Sequence, residues 1–135
     1  MAYYLYSFFL KLLSSIPFRI LYVISDCLFY LIYYVARYRR KVVRMNLTES
    51  FPGKDLKEIK SIEKKFYRFF TDNLLESCKM TTISQEEIKR RMNFKNMDAF
   101  NADLKAGKSI SLYLGHFGNW EWCSSIPLHF IDGIT

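Results

Sequence analysis

The chain has 135 residues, 20 of them Lys or Arg against 13 Asp or Glu, and about its first quarter is so apolar that less than a domain's worth of soluble sequence follows. The net charge of +7 is unevenly spread: Arg37, Arg39, Arg40, Lys41 and Arg44 come directly after the apolar region, a placement that favours anionic lipid headgroups. No zinc-finger spacing or helix-turn-helix pattern accompanies these cations, which argues against nucleic acid, and Cys27, Cys78 and Cys123 are too far apart for a zinc site and read as reduced thiols.

Pro17 to Ala36 is dominated by Phe, Ile, Leu, Tyr and Val, and Ala2 to Ile16 before it is broken only by Lys11 and serines. No basic cluster precedes the apolar run and no small-residue cleavage site ends it, so a removable signal peptide is a poor fit and the segment is expected to stay attached. Twenty helical residues suffice to cross a bilayer core of ~30 Å. The ten Leu, Ile, Phe and Val residues of this window contribute about −3 to −6 kcal/mol to insertion, against ~3 kcal/mol lost at Asp26. Arg19, Tyr22, Asp26, Tyr30, Tyr33 and Arg37 fall on one helical stripe, so a helix lying in the interface competes with a plain span. A buried helical pair in a soluble protein is the bland alternative, but an 18% aromatic content concentrated early suits an interfacial belt better. If the segment spans, the Arg37 to Arg44 cluster places everything downstream in the cytoplasm.

Phe51-Pro52-Gly53 is a break. After it, Leu56, Ile59, Ile62, Phe66, Phe69, Phe70 and Leu74 recur every three or four residues, with Lys57, Glu58, Lys60, Glu63, Lys64 and Lys65 largely opposite. This predicts an amphipathic helix to about Met80 whose aromatic stripe packs on a core, with a lipid-binding groove as the alternative. Ser84 and Glu87 read as a capping box opening a helix through Arg91, and another helix runs from Met97 to Ala106, ending at Gly107. Asn46-Leu47-Thr48 matches a glycosylation acceptor, but it lies on the expected cytoplasmic side and is discounted.

Ser109 to Leu114 is short, apolar and bounded by glycines, the pattern of a strand, and Gly118 to Phe130 reads as a helix that Pro127 bends or ends. The expected fold class is therefore α/β: a hydrophobic membrane helix with basic flank over 1–40, a helical region over 41–96, and over 97–135 the first strand, loop and helix of an incomplete α/β domain.

The loop after that strand is Gly115-His116-Phe117-Gly118-Asn119-Trp120-Glu121. A neutral imidazole takes a proton from a hydroxyl, and a carboxylate on its other nitrogen fixes the tautomer and stabilises the imidazolium. Five residues of regular helix leave two side chains about 140° apart. His116 must therefore stand on the turn before the helix if it is to meet Glu121. His129 has no carboxylate at ligand spacing and reads as structural or exposed.

This block resembles the signature of the bacterial lipid A late acyltransferases, the lauroyl and myristoyl transferase group of the lysophospholipid acyltransferase superfamily. The likeness extends upstream through Tyr38-Arg39-Arg40-Lys41-Val42-Val43, Asn46-Leu47 and Ser50-Phe51-Pro52. Many superfamily members carry aspartate at the place of Glu121, whereas the lipid A branch commonly uses glutamate. The resemblance implies His116 as general base, Glu121 as its orienting carboxylate, and Gly118, Asn119 and Trp120 as substrate-binding residues. It implies an acyl carrier protein thioester as donor, a hydroxyl of a lipid A precursor as acceptor, no cofactor or metal, and a place on the cytoplasmic face of the inner membrane. Members of that family are longer, with later arginine-bearing blocks that have no counterpart here, so the chain is expected to be a truncated portion, inactive alone. An acyltransferase for another lysolipid or aminolipid, and a non-catalytic membrane-anchored remnant, remain as alternatives.

Overall fold

The computed structural model describes residues 2–129. The chain forms two compact units, residues 1–81 and residues 82–135.

In the first unit, α1 (Ala2–Ser15) ends where the Ser14 and Ser15 hydroxyls donate back to the Lys11 carbonyl at 3.0 and 2.7 Å. Pro17 has no N–H with which to continue that helix; its fixed φ of −58° starts α2 (Phe18–Tyr30) instead, and its carbonyl accepts from Ile20 and Leu21. The wider π-helical turns of Leu31–Ala36 prolong α2, so Phe18–Ala36 makes one helix of 19 residues, by length and composition able to cross a membrane. Only 28% of its most apolar window is buried among the described residues.

The inward face of this helix is the row Phe18, Leu21, Ser25, Phe29 and Tyr33. It packs against α4 (Leu56–Lys79), whose buried row is Ile59, Glu63, Tyr67, Thr71 and Leu75. Where the two helices meet, Phe29 and Tyr33 stack at 5.5 Å and Tyr67 stands edge-on to Tyr33 at 5.3 Å, with Ile32 and Val43 packed around them. Both α1 and α3 (Arg40–Ser50) also pack on α4, which makes it the strut of the unit. The break at Phe51-Pro52-Gly53 is present, and α4 then opens with a capping box the sequence reading did not single out: the Glu58 N–H donates to Asp55 Oδ1 at 2.7 Å while the Asp55 N–H donates to Glu58 Oε2 at 3.4 Å.

Two expectations about helix faces are corrected here. Of the apolar stripe on α4, Ile59 is buried, Ile62 and Phe70 are half-buried, and Leu56, Phe66, Phe69 and Leu74 are exposed, whereas Glu63, expected outside, is fully buried. Periodicity locates an apolar stripe; which stripe faces inward depends on what the neighbouring helices offer, here two arginines and an aromatic pair. On α2, the polar stripe divides: Arg19, Asp26, Tyr30 and Arg37 are exposed, Tyr33 is buried, and half-buried Tyr22 donates to Glu76 Oε1 at 2.7 Å.

In the second unit, α5 (Gln85–Arg91) begins at Ser84, whose hydroxyl accepts from the Glu87 N–H at 3.2 Å. The reciprocal half of the expected box is missing, because the Glu87 carboxylate turns to Arg90 and Arg91, 2.8 and 2.6 Å away. α6 (Met97–Lys105) ends as expected at Gly107, whose φ of +72° lets the Lys108 N–H reach the Asp103 carbonyl at 3.1 Å. α5 packs against a 3₁₀ run, Trp120–His129, with Ile88, Trp122 and Ser125 buried.

The expected α/β fold is overturned: among the described residues the protein is all-helical, with no strand. Ser109 to Leu114 is irregular and largely exposed. A strand needs a lateral partner for its N–H and C=O groups, and no described segment lies beside this one as a partner strand. The helix expected over Gly118–Phe130 begins at Trp120, is 3₁₀ in type and contains Pro127 rather than ending there. Phe130 and the remainder of the expected 97–135 domain lie outside the described residues, as does Met1.

Candidate functional site

The loop between α6 and the 3₁₀ run carries the candidate catalytic residues. The Phe117 N–H donates to the Gly115 carbonyl at 2.9 Å, which closes a three-residue turn with His116 at its apex. Gly118 follows with φ +63°, a conformation that favours glycine, and swings the chain into the 3₁₀ run. Asn119 accepts the first bond of that run, from the Trp122 N–H at 3.2 Å.

His116 is therefore on a turn ahead of the helix, where the sequence reading put it, and its side chain is exposed. Its ring lies edge-on to Trp120, centroids 4.7 Å apart. Glu121 is half-buried in the first turn of the run, and its backbone carbonyl accepts from the Ser124 hydroxyl at 2.7 Å. No hydrogen bond or ion pair joins His116 to Glu121 among those of the described residues. The arrangement brings His116 together with Trp120 and leaves Glu121 apart, so it offers a solvent-accessible base without a carboxylate on its second nitrogen. Phe117, next to the histidine in the chain, is 94% exposed, and Tyr113, three residues before it, is 93% exposed. His129, read from the sequence as structural or exposed, is half-buried and edge-on to Phe94 at 5.0 Å.

The basic cluster of the first unit divides in two. Arg44 sends Nε to Glu63 Oε2 at 2.7 Å and Nη2 to Oε1 at 3.0 Å, and Arg40 adds Nε to Oε1 at 3.3 Å. Arg40 also donates to the Tyr33 carbonyl at 3.2 Å and lies 4.2 Å over the Tyr33 ring. Burial pushes the Glu63 carboxyl up, but hydrogen bonds from Arg44, Tyr33 and Arg40 and the charge of Arg44 outweigh it and hold it below its ordinary value of 4.5. Arg37, Arg39 and Lys41 are exposed, and no ion pair engages them among the described residues. Sequence reasoning missed the role of Glu63; its signal was the four-residue spacing of Arg40 and Arg44 on one face, set against a glutamate spaced four from both Ile59 and Tyr67.

No three His, Cys, Asp or Glu side chains come together as a metal site among the described residues, and Cys27, Cys78 and Cys123 are free thiols.

The family model of the bacterial lipid A biosynthesis acyltransferases matches residues 1–127, a span that takes in His116, Glu121 and the basic cluster. No curated protein matches the chain. No solved structure matches it either.

Proposed function

The chain belongs to the bacterial lipid A biosynthesis acyltransferase family, and we propose on that premise that it serves transfer of a fatty acyl group from an acyl carrier protein thioester to a hydroxyl of a lipid A precursor. The match across residues 1–127 carries this reading. His116 takes the proton of the acceptor hydroxyl as its oxygen attacks the thioester carbonyl. The tetrahedral oxyanion then collapses, the carbon–sulfur bond breaks, and the imidazolium returns the proton to the leaving thiolate. Glu121 holds the second imidazole nitrogen during this step. That pairing requires the ring to leave Trp120, a movement that the exposed three-residue turn at His116 permits. Gly118, Asn119 and Trp120 contact substrate, with the indole and the neighbouring Phe117 supporting acyl chain.

In this reading the exposed apolar face of the helix Phe18–Ala36 holds the protein at the inner membrane, while α4 covers its other face, so residues 37 onward stay on the cytoplasmic face, where donor and acceptor meet. The cations Arg37, Arg39, Arg40, Lys41 and Arg44 then stand at headgroup depth, Arg40 and Arg44 paired with Glu63 and the other three exposed toward the headgroups. The test is deletion of the gene in its own host followed by mass spectrometry of lipid A. Loss of one acyl chain, restored by the wild-type gene and not by His116→Ala, is the expected result. Unchanged lipid A on deletion, or full restoration by His116→Ala, refutes the reading.

A further inference from the structure

Two grooves meet at Arg39. One, of about 810 Å³, is lined by all five cations of the cluster together with Met45 and Thr48, and Glu49 is the one carboxylate on its wall. The other, of about 310 Å³, lies on the opposite side of α3 and is walled by Tyr38, Val42, Val43, Phe66 and Phe70. Its floor is flat, because Phe66 and Phe70 stack with planes 20° apart. A cationic groove that shares Arg39 with an apolar one is complementary to a single amphiphile bearing a phosphate.

We propose that this pair of grooves binds one anionic phospholipid, its phosphate held by Arg37 and Arg39 with Lys41, and the start of an acyl chain laid along Val42, Phe66 and Phe70. Charge complementarity is the first support. Glu63 answers two arginines with one carboxylate, and the three remaining cations engage no acid among the described residues, so the groove keeps an unanswered positive charge. Position is the second: the groove begins at Arg37, the residue after the last of the apolar helix. Backbone geometry is the third. Arg37 and Arg39 both adopt left-handed φ values, 51° and 50°, a conformation unfavourable to long side chains and held here by the Tyr67 hydroxyl, which donates to the Tyr38 carbonyl between them. That fixed turn places Arg37 and Arg39 on the wall of the cationic groove, and Arg39 on the wall of the apolar one as well.

The inference rests on the membrane reading and not on acyl transfer, and goes beyond a charged surface to a discrete site. Native mass spectrometry of the detergent-purified full chain tests it, with phosphatidylglycerol, phosphatidylcholine or glycerol phosphate added at equal concentration. The wild type should retain one phosphatidylglycerol. Arg37→Gln with Arg39→Gln should weaken that retention on the order of tenfold, and Val42→Asp, which puts a charge into the apolar groove, should weaken it comparably. Lys57→Gln with Lys60→Gln, which removes as much charge elsewhere on the same unit, should change nothing. Circular dichroism establishes that each variant keeps its helices. Equal retention of phosphatidylcholine, equal binding of glycerol phosphate, an equal loss in the Lys57 and Lys60 variant, or no loss in the arginine variant each overturns the site. A wild-type chain that stays soluble without detergent and retains no lipid removes the membrane reading along with it, while leaving His116 chemistry to be judged on lipid A alone.

Discussion

Arg44 grips Glu63 with two guanidinium nitrogens, at 2.7 and 3.0 Å, and thereby ties α3 to the buried face of α4. The carboxylate side chain is 0% exposed, while Arg40 and Arg44 are 25% and 32% exposed, so the anion is the fully desolvated partner. Removing it leaves two cations half-buried against an aromatic cluster with nothing to neutralise them. Glu63→Ala should cost about 3 kcal/mol, the lower end for breaking a buried pair because both arginines retain access to water. Denaturation in detergent measures it, and a double-mutant cycle with Arg44→Ala should give strong coupling; additive losses would mean that the pair contributes little.

The same carboxylate sets an acid limit. Its folded value lies below the ordinary 4.5, so the folded state binds fewer protons than the unfolded chain as pH falls through that range. Its contribution is therefore fully present above about pH 4.5 and is lost as pH drops through the folded value. The stability difference between wild type and Glu63→Gln should be flat from pH 8 to about pH 5 and should shrink below it. A difference that grows on acidification would contradict the assignment.

The ends of the elements were more legible in the sequence than their faces. Pro17, Phe51-Pro52-Gly53, Ser84 and Gly107 act through local sterics and single hydrogen bonds, which a short window contains. The inward row of α4 is not local. Ile59, Glu63, Tyr67, Thr71 and Leu75 are inward because Phe29, Tyr33, Arg40 and Arg44 meet them, and no window around residue 63 contains those partners. Ser109 to Leu114 failed for the same reason, since strand identity is conferred by a neighbouring chain segment. At the candidate site, the turn at His116 was legible from its glycines, and the choice of Trp120 over Glu121 as its neighbour was not.

Asp55 satisfies the Glu58 N–H at the start of the 24-residue α4, on which the other helices of the unit pack. Asp55→Ala should destabilise the first unit by about 1 kcal/mol, whereas Asp55→Ser should recover most of the loss. Thermal unfolding of the two variants side by side checks this. Equal stability of Asp55→Ala and wild type would show that the cap is satisfied equally well by water.

Trp120 reports on whether the catalytic pair assembles. With the His116 ring 4.7 Å from the indole, any swing of the imidazole toward Glu121 removes an aromatic neighbour from Trp120 and alters its emission. Trp122, buried two residues on, would mask the signal, so the experiment uses a Trp122→Phe background whose fold is checked by circular dichroism. Adding lipid A precursor in detergent should shift the Trp120 emission. Part of that shift comes from substrate against the indole itself, so His116→Ala should reduce it by the part that the departing imidazole contributes, and Glu121→Gln should reduce it less, because a neutral amide stabilises an imidazolium less than a carboxylate does. In lipid A profiles of the host, the Glu121→Gln gene should restore the missing acyl chain only partly, by a margin smaller than that separating His116→Ala from wild type. An emission shift of undiminished size in His116→Ala would mean that Trp120 senses only the substrate and that the histidine stays where it lies.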